Sequence, residues 1–333
     1  MLAFHPPHRH KFYHFHPSFL AIAHSFVIRI SSFVIYLPSH LSTCTHSGLP
    51  LICALRFRRS GLTRCSDNLE PEAKLKFMPQ PIKTFTVDSL PVRVYANQPD
   101  MANDAALEVR DYLASVIAVK GSAAAILATG NSQIKFLEEV IRLGGVDWSK
   151  VTLFHMDEYL GIHPAHKASF RCYMRERVES RLKPKAFHYL EGDALEPIIE
   201  CERYTALLNA QEIDLCCLGI GENGHIAFND PPVANFQDER LVKIVQLDLA
   251  CRLQQVNEGH FPSTDQMPNY ALTLTIPALC RAKKMVCLCP ETRKAKAAKA
   301  ALHGPIATSC PASYLRTQPQ CTLYLDTDSS SLL

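Results

Sequence analysis

The 333-residue chain predicts an α/β fold: an open, mostly parallel, Rossmann-like sheet with helices on both faces, forming one domain over residues 80–327. Three observations carry this expectation. Short apolar runs of strand length alternate with longer segments whose apolar residues recur at helical spacing. Apolar residues make up 47% of the chain and charged residues 20%, an ordinary globular balance that excludes a wholly disordered or fibrous protein. Three of the strand ends are crowded with polar residues, which is where an open α/β sheet binds its ligands.

The elements follow in order. Val92-Arg-Val-Tyr95 reads as a short strand. Asn103 or Asp104 can cap a helix running to about Ala118, with Leu107, Tyr112, Leu113 and Val116 as its apolar stripe. Ala123 to Ala128 is a buried strand ending at Thr129-Gly130-Asn131-Ser132, and the next helix turns Ile134, Phe136, Leu137 and Ile141 inward. Strands are expected at 151–154, 213–219, 272–276, 285–289 and 321–325, and helices around 168–182 and at 291–302. Residues 328–333 are a tail, and neither an internal repeat nor a long linker interrupts the domain.

The first 66 residues differ from the rest. They hold no Asp or Glu but seven Lys/Arg and eight of the fifteen His, so the remainder is net acidic by four charges. That remainder has no basic stripe for a phosphate backbone and no helix-turn-helix beside it, which argues against a nucleic-acid partner. The run Phe19 to Leu37 is long enough to span a bilayer, but Arg29 near its centre would cost roughly 2.5–3.5 kcal/mol. Three readings stand for residues 1–77: a gene-model extension with Met78 as the working start, an organelle transit peptide, or a membrane anchor. None of them alters the chemistry downstream, and the domain itself needs no membrane partner. The thirteen cysteines are scattered, often within apolar runs, and show no paired zinc spacing. Free, buried thiols in a reducing, cytoplasmic setting are expected, with Cys287 and Cys289 on one side of a sheet.

The polar strand ends carry the chemistry. Thr129-Gly130-Asn131-Ser132 runs from a strand straight into a helix, and its hydroxyls and free amides make an anion cradle or a plain βα turn. Met156-Asp157-Glu158-Tyr159 closes a strand with adjacent acids that cannot point the same way. One can face a pocket as a general base while the other braces the loop; a solvated turn is the plainer reading. In Gly219-Ile-Gly221-Glu-Asn223-Gly-His225-Ile-Ala-Phe-Asn-Asp230, the glycines bring backbone close to a ligand. Asp230 can there fix the tautomer of His225.

Met156-Asp-Glu-Tyr159 followed by Gly161, with Gly221-Glu-Asn-Gly-His-Ile-Ala-Phe-Asn-Asp-Pro231, resembles the glucosamine-6-phosphate deaminase (isomerase) family, within the group that includes the 6-phosphogluconolactonases. Tyr270-Ala-Leu-Thr273 and Thr292-Arg-Lys-Ala295 add support. The lactonases typically carry Asp-Glu-Arg where this chain has Asp157-Glu158-Tyr159, so the deaminases are nearer. The resemblance implies that Asp157 is the base that moves a proton from C2 to C1, and that His225 opens the pyranose. It implies that Asp230, where the family usually has Glu, orients that histidine beside Asn223, and that Thr129, Gly130, Asn131, Ser132 and Lys294 hold the phosphate.

The chain also departs from the pattern. Asp230 is one methylene shorter than Glu, and Asn223 can hydrogen-bond but cannot act as a base. The phosphate-clamping Arg of many deaminases is missing from Asn257-Glu258-Gly259-His260-Phe261, leaving Arg252 or His260 to substitute. The implied reaction, in aminosugar catabolism, turns glucosamine 6-phosphate into fructose 6-phosphate and ammonia without metal or cofactor. A lactone hydrolase and a non-catalytic sugar-phosphate sensor are the alternatives, and the family's oligomeric range allows a homo-oligomer.

Overall fold

The computed structural model describes residues 79–333, together with the backbone of two short strands nearer the start. The chain divides into two compact units, residues 1–72 and 73–333. Within the first, β1 (Val27–Ile30) and β2 (Phe33–Tyr36) pair antiparallel. The rest of the leader, including Met78, lies outside the described residues.

The second unit runs β3 (Lys83–Val87), β4 (Leu90–Tyr95), α1 (Gln98–Lys120), β5 (Ala123–Leu127), α2 (Asn131–Leu143), β6 (Val151–His155) and β7 (Asp157–Tyr159). It continues through α3 (Phe170–Met174), α4 (Ser180–Leu182), β8 (Ala186–His188), α5 (Pro197–Asn209), β9 (Leu215–Gly219), β10 (Val242–Gln246) and α6 (Leu249–Asn257). It ends with β11 (Tyr270–Leu274), α7 (Ile276–Cys280), β12 (Lys284–Cys289), α8 (Ala295–His303) and β13 (Cys321–Asp326). The main sheet has eight strands in the order β3-β4-β13-β12-β9-β5-β6-β8, parallel except for the edge strand β3.

Side chains alternate across the main sheet and divide the core in two. Ala123, Ala125, Leu127, Val286 and Leu288 pack with α1 and α2. Ala124, Ile126, Cys287 and Cys289 point the other way, toward residues of α5, α7 and α8 such as Tyr204, Leu279 and Ala298. Cys287 and Cys289 thus share a face as expected, and the ten cysteines among the described residues are all free thiols.

Several boundaries differ from the sequence expectation. The cap of helix α1 falls six residues before Asn103 and seven before Asp104, because Asn97 accepts the Asp100 amide at 2.9 Å and Pro99 suits the first turn. Its buried stripe mixes Ala102, Ala105 and Ala106 with Met101, Val109, Leu113 and Ile117, while Leu107, Tyr112 and Val116 are only half-buried. The helix over 170–182 contains a π-helical segment, Arg175–Glu179, between α3 and α4.

The strand expected at 272–276 ends at Leu274, since the Thr275 hydroxyl accepts the Ala278 amide and caps α7. It does not join the main sheet. With β10 and β7 it forms a second, antiparallel sheet in the order β10-β11-β7, which apolar alternation alone could not reveal.

Although last in the chain, β13 lies inside the main sheet between β4 and β12, with Leu323 fully buried. Leu323→Ala is expected to destabilise the domain by about 2–5 kcal/mol through lost burial and a residual cavity. Denaturant unfolding checks this, and a loss below about 1 kcal/mol would contradict the placement of that strand.

Candidate active site

A cleft of about 600 Å³ opens at the carboxyl ends of β5, β6 and β9. Of the nine residues that the sequence singled out, seven line it: Thr129, Gly130, Asn131, Ser132, Asp157, His225 and Lys294. Asn223 and Asp230 do not reach the wall and stand behind His225 instead.

The adjacent acids divide as their opposed directions require. Glu158 is fully buried and accepts hydrogen bonds from the Ser169 hydroxyl and from the amides of Tyr159, Phe170 and Arg171. It thereby ties the start of α3 to β7. Asp157 faces the cleft, and its carboxyl makes no hydrogen bond among the described residues. Burial first, then the neighbouring Glu158 charge, push its pKa well above the usual carboxylate value.

His225 is held from behind. Its Nδ1 lies 2.9 Å from Asp230 Oδ1, so the shorter acid still reaches the ring. The approach is close but does not have the geometry of a hydrogen bond. Asn223 donates to Asp230 Oδ1 at 3.0 Å and accepts the His225 amide at 3.1 Å, while the Asp248 amide donates to Asp230 Oδ2 at 3.2 Å. Burial raises the Asp230 pKa, but the nearby imidazole and the bonds from Asn223 and the Asp248 amide outweigh it and hold the carboxyl below its ordinary value. Gly221 makes room for the ring: a Cβ there would sit 2.2 Å from the imidazole carbon Cε1.

Cys251 completes the only group among the described residues whose His, Cys and carboxylate donor atoms, with His225 and Asp230, fall within 4.8 Å of one another. Burial and the carboxylates of Asp230 and Asp157 push its thiol well above the ordinary pKa.

The opposite wall is the anion cradle. Gly130 has φ of +97°, a conformation that glycine adopts without strain, and α2 starts immediately after it with no side-chain cap on its first amides. Lys294 is buried beside this turn with no hydrogen bond or ion pair among the described residues, and burial lowers its pKa. A desolvated ammonium facing uncapped helix amides favours a bound dianion.

Neither Arg252 nor His260 replaces the missing arginine. Arg252 donates to the Thr264 carbonyl and His260 lies 3.4 Å from Glu258, both off the cleft wall. Helix α6 and the residue that caps its end contribute Gln254, Gln255 and Glu258 instead, and Arg293 adds a guanidinium held by Glu222, Glu258 and Glu291. None of these four was named as a site residue, although Arg293 lies within Thr292-Arg-Lys-Ala295. Helix α6 was not expected from the sequence, and glutamines on a polar helix carry no motif.

Residues 96–324 match the model of the glucosamine-6-phosphate isomerases/6-phosphogluconolactonases. The chain belongs to this family. A glucosamine-6-phosphate deaminase of Halothermothrix orenii is 34% identical over 249 residues, spanning 73% of this chain and 99% of that one. Glucosamine-6-phosphate deaminase 1 of Giardia intestinalis is 33% identical over 69% of this chain and 87% of its own length. Among solved structures, a monomeric glucosamine-6-phosphate deaminase superposes with a TM-score of 0.67 at 28% identity, over 73% of this chain and 99% of that one. A 6-phosphogluconolactonase of Thermotoga maritima, at TM-score 0.58 and 20% identity over 71% of this chain and 98% of that one, shares the fold. No helix among the described residues is long and apolar enough to cross a membrane.

At the cleft mouth, Glu258 has a pKa of about 2: burial raises it, but His260, Arg293 and Gln254 together outweigh that. A carboxylate depressed on folding stabilises the protein above its ordinary value of 4.5, and that stability is lost as pH falls toward 2. Glu258→Gln is therefore expected to lower stability at pH 7 and to flatten the acid limb between those values. Unfolding midpoints measured across that range check it, and an unchanged acid limb would refute it.

Proposed function

We propose that this protein isomerises and deaminates glucosamine 6-phosphate, producing fructose 6-phosphate and ammonia. The observation that carries the reading is one cleft with three parts: an unpartnered, buried carboxyl (Asp157), an imidazole backed by a carboxylate (His225 with Asp230), and an anion cradle with a buried lysine.

The sugar phosphate docks with its phosphate on the Thr129–Ser132 turn and Lys294. With Nδ1 turned to Asp230, His225 presents Nε2 to the cleft, where it takes the anomeric hydroxyl proton and returns one to the ring oxygen, opening the pyranose. Asp157 then removes the C2 proton, giving a 1,2-enolamine, and delivers it to C1. The resulting C2 imine adds water and expels ammonia, so one water enters for each ammonia released. The raised pKa of Asp157 suits both halves of this transfer, because a stronger base takes a carbon-bound proton more readily. Asn223 acts only by hydrogen bonding, holding Asp230 and the His225 backbone in place. The free thiols suit a reducing compartment, and this reading places the reaction in the cytoplasm.

The test is ammonia release from glucosamine 6-phosphate by the full chain, with 6-phosphogluconolactone hydrolysis run in parallel. Ammonia with fructose 6-phosphate is expected, and lactone turnover alone would overturn the reading. Asp157→Asn is expected to bind the sugar phosphate within a fewfold of wild type while exchange of the C2 proton with solvent falls below detection. Retained exchange would remove Asp157 from the role of base.

A further inference from the structure

Resting on that reading, the geometry points to Gln255 as a substrate-binding residue, a neutral amide donor to an oxygen of the sugar phosphate, held in position by Tyr159. Three buried glutamines flank the cleft, and two of them are committed. Gln133 donates weakly to the Leu218 carbonyl and the Ser132 hydroxyl. Gln254 accepts the Glu222 amide at 3.0 Å and donates to Glu258 at 2.8 Å.

Gln255 differs from both. Its Oε1 accepts the Tyr159 hydroxyl at 2.9 Å, while its Nε2 has no partner among the described residues and is not sealed from solvent. The residue lines the cleft at 7% exposure. With the carbonyl end fixed, both amide protons are available to a ligand.

Tyr159 can hold that orientation because it cannot move. It is fully buried, and its ring packs against Phe170, Phe228 and Phe261 with centroids 4.9 to 5.2 Å away. Burial raises the phenol pKa well above its usual value, so the hydroxyl keeps the proton that it donates. Tyr159 is the residue at which this chain departs from Asp-Glu-Arg sequences, and Gln255 gives it a task. Since Arg252 and His260 are engaged elsewhere, α6 offers the ligand an uncharged donor in place of a guanidinium.

The experiment uses the full chain. Calorimetry with fructose 6-phosphate and with inorganic phosphate is combined with steady-state kinetics on glucosamine 6-phosphate, for Gln255→Ala, Gln255→Glu, Tyr159→Phe and the Gln255→Ala/Tyr159→Phe double variant. Gln255→Ala is expected to weaken fructose 6-phosphate binding and raise KM about tenfold, the worth of one hydrogen bond, with a much smaller fall in kcat. Gln255→Glu keeps the size of the side chain and should lose more. Tyr159→Phe should raise KM about threefold, and its effect should vanish in the Gln255→Ala background. A parallel loss of inorganic phosphate affinity places the amide on the phosphate, and its retention places the amide on a hydroxyl; either supports the assignment.

Binding unchanged within about twofold in both folded Gln255 variants would overturn it. So would a Tyr159→Phe defect that persists without Gln255, which would leave the tyrosine with a packing role alone. A wild-type chain that binds fructose 6-phosphate but releases no ammonia would defeat the proposed reaction and still leave Gln255 readable by calorimetry.

Discussion

Thr273 is the residue on which the site geometry turns. In the β7–β11 ladder it stands directly across from Asp157, and its hydroxyl accepts the Phe228 amide at 3.1 Å. One fully buried side chain therefore sets the separation between the strand that carries the carboxyl and the loop that carries the imidazole. The next residue repeats the link through its backbone: the Leu274 amide donates to the Met156 carbonyl, and the Leu274 carbonyl accepts from Asn229. The small antiparallel sheet is thus a splint between two strand ends of the large one, and its hydrogen bonds are shielded from water that would compete for them.

Desolvation is the second constraint, and it acts on each charged group according to its surroundings. Glu158 is buried but takes four hydrogen bonds, so it serves to anchor α3. Asp157, its neighbour, is buried with none among the described residues, and it is the carboxyl that faces the cleft. Lys294 is likewise buried and has no partner among the described residues, whereas the adjacent Arg293 is held by three carboxylates. Adjacent residues of the same charge type thus take opposite roles: the group left without partners is the one available to a ligand.

The aromatic cluster beneath the cleft links these constraints to recognition. Tyr159, Phe170, Phe228 and Phe261 pack together, joining β7, the start of α3, the histidine loop and the segment after α6. Phe170 and Phe228 also form part of the cleft wall. The same packing that stabilises this corner presents a flat apolar face to a ligand and holds the Tyr159 hydroxyl against Gln255.

The sequence by itself determined what local pattern can encode. Apolar runs alternating with helical segments announced the parallel sheet, and polar residues crowded at three strand ends marked Thr129 to Ser132, Asp157, Asn223, His225 and Asp230, while Lys294 came from the family resemblance. Six of those residues line one cleft because a parallel sheet delivers its strand ends to one edge, whatever the details of packing. Only the tertiary structure decided the rest. β7 and β11 are too short or too far apart in sequence to declare their pairing, since register between distant strands depends on contacts that no local period records. The placement of Gln255 and Cys251 was hidden for the same reason: neither belongs to a motif, and each acquires its position from the docking of α6 against the histidine loop. Proximity across the chain is created by folding, and the chemistry of Asp157 and His225 depends on it.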